Sequence, residues 1–313
     1  MIKTEQNTVK TFFKNRLKGV KAKLEKRYQG HNFAYFWNGD ADRKKVGIYL
    51  RGACDLGAVF ACEPFIQEQL NGTTAIYRSG YGAASTRTDI LLQTLDNYPD
   101  ELIETVTHKM KLNNNYFAPD LFEKEIVLPG PSGDVVFPKS VIILSMAPDL
   151  VRNAYRHREH DFIIDPGGWW LNQNMANVLK DLSAVNWLNE NFRKIGKISL
   201  EESRENFRKL ITLLRQETGC HNIIIFNILG LEPGERVYNY QFVRNPQVIR
   251  RRQFNMMLSD LSREMDFSII DVDKILKSLG VKEQVDFAHW PIDRFEPVAR
   301  EVHRVMNDMK LFD

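Results

Sequence analysis

Five short runs constrain the fold more than any other feature of this chain: V-G-I-Y-L (46–50), T-T-A-I-Y (73–77), V-I-I-L (141–144), N-I-I-I-F-N-I (222–228) and F-S-I-I-D (267–271). Each is nearly continuously apolar, rich in β-branched residues and bounded by Gly, Pro, Asn or Asp. That is the pattern of a strand buried on both faces. Between the runs the apolar residues recur every three or four positions. Strands alternating with helices imply a parallel sheet with helices on both sides. The expected fold is therefore α/β, a three-layer α/β/α sandwich around a five-stranded parallel sheet.

The helices carry their own signals. Ser199 and Glu202 have the spacing of a capping box, Leu200, Phe207, Leu210, Ile211 and Leu214 form a stripe, and Gly219 supplies a stop. A second helix is expected over 172–192, burying Met175, Val178, Leu182 and Val185, and a third over 246–264. The last follows Pro297 with Val298, Val302, Val305 and Met309 inward. Two stretches break the alternation. Residues 125–137 read as a hairpin around a Pro-Gly turn, and H-D-F-I-I-D-P-G-G-W-W (160–170) reads as a loop inserted after the third strand.

The first 29 residues hold nine Lys or Arg against Glu5 and Glu25, so this segment is +7 while the remainder is −4. Val9, Phe12, Phe13, Leu17, Val20 and Leu24 give it the period of an amphipathic helix over 8–27. Either its cationic face is simply solvated, or it docks on an acidic partner such as a carrier protein, nucleic acid or an anionic membrane surface. The expected organisation is a basic helix and connector (1–43) followed by one α/β domain (44–313) with an insertion at about 150–200. With 43% hydrophobic and 27% charged residues, disorder is excluded. The N-terminus has no apolar signal region and no run of 18 apolar residues occurs, so a cytoplasmic location is expected. Cys54, Cys62 and Cys220 lack C-x-x-C spacing, which argues against a disulfide framework or a zinc ribbon. Nucleic-acid binding has no motif to support it.

Sheets of this kind bind ligands at the carboxyl ends of their strands. The first run ends in R-G-A-C-D-L-G, where Gly52 and Gly57 permit a sharp turn with Cys54 at its tip. A thiol attacks only when ionised, which needs a base. Q-V-D-F-A-H-W-P offers one: Asp286 precedes His289 by three residues, close enough to fix the imidazole tautomer while its other nitrogen faces a nucleophile. The alternative is Cys54 as a small buried residue in a crowded turn.

A nucleophile turn after the first strand and D-x-x-H before the terminal helix make the chain resemble the SGNH or GDSL hydrolase family. The resemblance implies a flavodoxin-like sheet and a triad of Cys54, His289 and Asp286, with cysteine where the family has serine. It also implies an oxyanion hole with a donor at Gly80 or Gly82 in S-G-Y-G. Where the family carries G-x-N-D, this chain reads S-M-A-P-D, 145–149, leaving Asn153 on the following helix as a substitute donor. The implied activity is acyl hydrolysis or acyl transfer through a Cys54 thioester, on an ester, thioester or amide of a small molecule, sugar or carrier-bound acyl group. A thioester stays reactive enough to pass its acyl group to an amine or alcohol. No metal or organic cofactor is required. The competing class is a catalytically degenerate binding or scaffold protein on the same fold.

The neighbouring residues each have two readings. Asp55 is a turn cap or a polar group aimed at the substrate, and Asp149 reads as a helix N-cap. His157, His160 and Asp161 have metal-ligand spacing, but H-x-x-H on a charged helix surface is usually solvated. Trp169 and Trp170 either anchor the insertion or form a lid over the substrate.

Overall fold

All five apolar runs form strands. The structure is a computed structural model that describes residues 32–36, 46–52, 55–56, 59, 74–78, 87–112, 116–130, 133–167, 175–231, 246–280 and 294–313. The basic segment read as a helix over 8–27 lies outside the described residues, as do Cys54, Gly80, Gly82, Trp169, Trp170, Asp286 and His289.

The main sheet contains β1 (Asn32–Phe36), β2 (Gly47–Arg51), β3 (Thr74–Arg78), β4 (Glu125–Gly130), β5 (Gly133–Ser145), β9 (Ile223–Phe226) and β10 (Ser268–Ile270). Its order is β1-β3-β2-β5-β9-β10, with β4 paired to β5 as the expected hairpin. The pairs β3–β2, β2–β5, β5–β9 and β9–β10 are parallel. In chain order these five strands stand 2-1-3-4-5, the flavodoxin-like arrangement. The sheet extends beyond the expected five: β1, within the segment read as connector, runs antiparallel to β3 at the edge.

Alternation along the strands sorts side chains between two cores, because successive residues point to opposite faces. Ile48, Leu50, Val141, Ile143, Ile224 and Phe226 join one cluster with α8 (Val272–Ser278) and α9 (Phe295–Asp308). Tyr49, Ile142, Leu144, Ile223 and Ile225 join the other, covered by α6 (Leu200–Thr218) and α7 (Pro246–Met265). Both faces are buried, which is why the runs are apolar throughout rather than alternating.

The helix ends follow their sequence signals. Ser199 accepts from Glu202 N while Glu202 reaches back to Ser199 N, and Gly219 ends α6 in the left-handed conformation at φ 67°. In α9, Val298, Val302 and Val305 are buried as expected, and Met309 packs against the same cluster.

Residues 150–200 differ from expectation. A second sheet of order β7-β6-β8 forms from β6 (Ala154–His157), β7 (Ile163–Ile164) and β8 (Phe192–Gly196), so the stretch read as a loop contributes a strand. The helix expected over 172–192 is two helices, α4 (Met175–Leu179) and α5 (Leu182–Asn191), and Phe192 belongs to β8. Lys180 breaks the chain by turning left-handed at φ 54°. Asp181 restarts it by accepting from Ser183 N and Ala184 N. The break shifts the apolar stripe: Leu179, Ala184 and Leu188 are buried, while Leu182 is 71% exposed and Met175, Val178 and Val185 are half-buried.

Three further α-helices lie in the described part, α1 (Thr88–Leu92), α2 (Asp100–Met110) and α3 (Ala147–Val151), with a 3-10 turn over Gln93–Leu95 after α1. Between the two pairing zones of β5, Lys139 is buried, donating to the carbonyls of Asp120 at 2.7 Å and Leu121 at 2.9 Å, with its ammonium over the Tyr49 ring. The Tyr49 hydroxyl in turn donates to Asp120. Among the described residues no helix is long and apolar enough to cross a membrane.

Candidate active site

The strand order makes one place on the sheet a crevice. Connections from β2 lead to β3 on one side and those to β5 on the other, so the carboxyl end of β2 sits at the point where the winding reverses. Arg51, Gly52 and Asp55 stand there, flanking Cys54 in the sequence.

Gly52 is required by packing. A Cβ at this position would lie 2.5 Å from Ser145 Cβ and 2.7 Å from Leu56 Cδ1. Only the absence of a side chain lets Gly52 press against Ser145 at the end of β5. Asp55 then fastens the two together. Its Oδ2 accepts from Ser145 Oγ at 2.9 Å, and its Oδ1 accepts from Leu56 N at 3.0 Å. Ser145 Oγ also accepts from Ala147 N at 3.2 Å, holding the start of α3. Both Asp55 oxygens are thus engaged inside the protein, one of them by the serine that opens S-M-A-P-D.

Asn153 is not on the helix after β5. It lies on the link between α3 and β6, half-buried, and no hydrogen bond joins it to Asp55 or Ser145. Asp149 is no N-cap either. It is 1% exposed within α3, and its carboxylate accepts from Thr88 N at 2.7 Å, Thr88 Oγ1 at 2.6 Å and Ser203 Oγ at 2.6 Å. Burial pushes this carboxyl up to about 6, with Asp89 adding to the rise and the Ser203 and Thr88 hydrogen bonds opposing it. Asp149 therefore ties α1 and α6 to the end of β5.

The ends of β9 and β10 are laced in the same manner. Asn227 Nδ2 donates to Asp271 Oδ1 at 2.7 Å and Asn227 Oδ1 accepts from Asp273 N at 3.2 Å. Gly230 N donates to Asp273 Oδ1 at 2.7 Å, and Lys277 reaches Asp273 Oδ2 at 2.6 Å. Among the described residues, side-chain hydrogen bonds thus tie the carboxyl end of β2 to that of β5, and the carboxyl end of β9 to that of β10.

His157 lies in β6 rather than on a helix surface. Its Nδ1 accepts from Glu159 N and His160 N, both at 3.2 Å, and its ring stacks on Phe162 at 4.8 Å. Burial lowers its pKa. Asp161 pairs with Arg156 at 3.0 Å. Among the described residues no group of three His, Cys, Asp or Glu is placed to hold a metal. Cys220, the described cysteine, is buried and free, and desolvation raises its thiol pKa, the opposite of what a nucleophile needs.

Sequence reasoning missed three residues. Ser145 anchors Asp55, and Asn227 joins β9 to α8. Arg51, buried at 2% exposure, stands at the crevice itself. A charged residue closing an otherwise apolar strand was the available signal for Arg51.

No family model matches the sequence, and no curated protein matches it. Among solved structures, the chain is similar to an acetylxylan esterase from Geobacillus stearothermophilus, at 12% identity over 87% of this chain and 96% of that one, with a TM-score of 0.37. It is similar to a GDSL-like lipase from Parabacteroides merdae, at 8% identity over 88% and 99%, with a TM-score of 0.39. A peptidoglycan O-acetylesterase aligns at 11% identity over 55% of this chain and 38% of its own, with a TM-score of 0.29. Likeness at these scores carries no weight for the chemistry of the site.

Proposed function

We propose that the chain is an SGNH/GDSL-type acyl hydrolase or acyltransferase in which Cys54 is the nucleophile, His289 the base and Asp286 its orienting carboxylate. The observation that supports this most is the 2-1-3-4-5 parallel order, with R-G-A-C-D-L-G following its first strand at the crevice. Gly52 and Asp55, which flank Ala53 and Cys54 in the sequence, are both held against Ser145 at the end of β5, which supports this reading. At the other end of the chain, D-F-A-H precedes α9, the helix that packs beneath the same sheet.

In this mechanism His289 takes the thiol proton as the sulfur attacks the acyl carbonyl carbon, and the carbonyl electrons move onto oxygen. Backbone N–H groups at Cys54 and at Gly80 or Gly82 stabilise that oxyanion. Collapse expels the leaving alcohol, thiol or amine, which receives the proton from the imidazolium, and leaves an acyl thioester on Cys54. His289 then deprotonates water or an acceptor, which attacks the thioester and frees the thiol. The +7 segment at 1–29 suits an acidic acyl carrier as donor.

Intact-mass analysis after exposure to a neutral electrophilic acyl ester tests this reading. One acyl adduct is expected on the full chain, absent in Cys54→Ala and strongly slowed in His289→Ala. A folded protein that takes no label between about pH 6 and 9, where a thiol near 8.5 passes into its ionised form, would sink the enzyme reading and leave a binding protein.

A further inference from the structure

We infer that Arg51 is an anion receptor at the crevice, and that the acyl donor carries a phosphoryl-class group that it binds. Arg51 closes β2 at the point where the sheet's winding reverses, and its side chain is 2% exposed. Its Nε and Nη1 are buried and have no hydrogen-bond partner among the described residues. Together they present three N–H donors, pointing along different edges of a planar cation.

Among the described residues, the buried carboxylates of Asp55, Asp120 and Asp149 are engaged by other groups. Asp55 four residues on is held by Ser145 and Leu56. On the face that Arg51 shares with Tyr49, Asp120 takes the Tyr49 hydroxyl, and Asp149 takes Thr88 and Ser203. No described residue forms an ion pair with Arg51.

An arginine does not lose its charge on burial, so an uncompensated guanidinium in a protein interior is costly. Apolar residues fill every other position of β2 except Gly47, and a methionine or leucine would pack at position 51 without that cost. What the arginine adds is recognition: guanidinium is the side chain suited to oxyanions. Donors spread around its plane are best met by an anion with several oxygens, such as a phosphoryl group, rather than by the two oxygens of a carboxylate. Position adds the rest, because Arg51 is three residues from Cys54. A phosphoryl group seated there would fix a donor's acyl carbonyl near the thiol. The claim about the acyl donor rests on the acyl-transfer reading; the anion site does not.

The test uses the full chain carrying Cys54→Ala, so that failure of acylation and failure of anion binding are read separately. Inorganic phosphate is titrated against thermal unfolding, with acetate at matched ionic strength. Phosphate at tenfold saturation should raise the midpoint by about 2 °C or more, and acetate should not. Adding Arg51→Met should abolish the phosphate response while leaving the ligand-free midpoint equal or higher, since an unpaired buried charge is removed. Arg51→Lys, the variant that keeps a cation, should retain a response with affinity reduced at least about tenfold, one such step being 1.4 kcal/mol. No response in the parent overturns the inference, as does an unchanged response in Arg51→Met or Arg51→Lys. Acetate matching phosphate overturns the phosphoryl class.

Discussion

Asp149→Asn should flatten the dependence of stability on pH, and the size of the effect follows from the burial of one carboxyl. In the folded protein burial raises this group to about 6, whereas an unfolded aspartate titrates near 3.8. Between these values the native state holds a proton that the unfolded chain has released. The stability that Asp149 contributes is therefore fully present below about pH 4 and is lost as pH rises through about 6. Roughly two pH units at about 1.4 kcal/mol each make a loss of about 3 kcal/mol. Asparagine keeps the shape but cannot ionise, and the Thr88 and Ser203 hydroxyls can turn to accept from its amide. The charged groups facing this carboxyl are Arg87 and Asp89 from α1 and its approach, and Arg250 from α7. Arg87 is engaged by Asp89 and by Gly196 O at 2.6 Å, and Arg250 by the carbonyls of Asp149, Leu150 and Ile198. Burial is thus left as the largest influence. Urea unfolding of both proteins from about pH 4 to 8 reads the difference directly. It should move by about 3 kcal/mol in favour of asparagine as pH rises. Parallel curves would refute the reasoning, because they would mean that Arg87 and Arg250 keep Asp149 ionised in the native protein.

Two further outcomes test the frame around the crevice. Gly52→Ala should destabilise the fold by about 1–3 kcal/mol through overpacking, since its methyl would collide with Ser145 and Leu56, and acyl labelling of Cys54 should fall with it; urea titration and intact mass check both. Arg152 and Asp165 form a buried pair at 3.0 Å, with Asp165 fully enclosed. Arg152→Ala should cost about 3–5 kcal/mol, and adding Asp165→Asn should recover part of that loss in the same urea assay.

The central layer was legible because its strands are buried on both faces, which forces V-I-I-L and N-I-I-I-F into unbroken apolar runs. Capping signals were legible for α6 because Ser199, Glu202 and Gly219 act within their own turns. The small sheet was not. Ile163–Ile164 is two residues long, and β8 reads F-R-K-I-G with Arg193 and Lys194 exposed, so neither shows a period. The break at Lys180 was equally hidden, because lysine carries no preference for the left-handed region that would announce it. At the site, Asp149 sat three residues into a helix and so resembled a cap. Its partners Thr88 and Ser203 are 61 and 54 residues away, and only the fold brings them together. Arg51 and Ser145 were present in quoted motifs, but burial and pairing across strands gave them their meaning.

The 13-residue β5 has a consequence for how the protein loosens. Its first half pairs with β4 alone, whereas Ile142 to Leu144 are held between β2 and β9. Lys139, pinned to two carbonyls and the Tyr49 ring, stands at the junction. One strand thus spans two cooperative units, and the hairpin can open and reclose while the amides next to Ser145 stay shielded. Breathing at one end of β5 need not reach the crevice at the other.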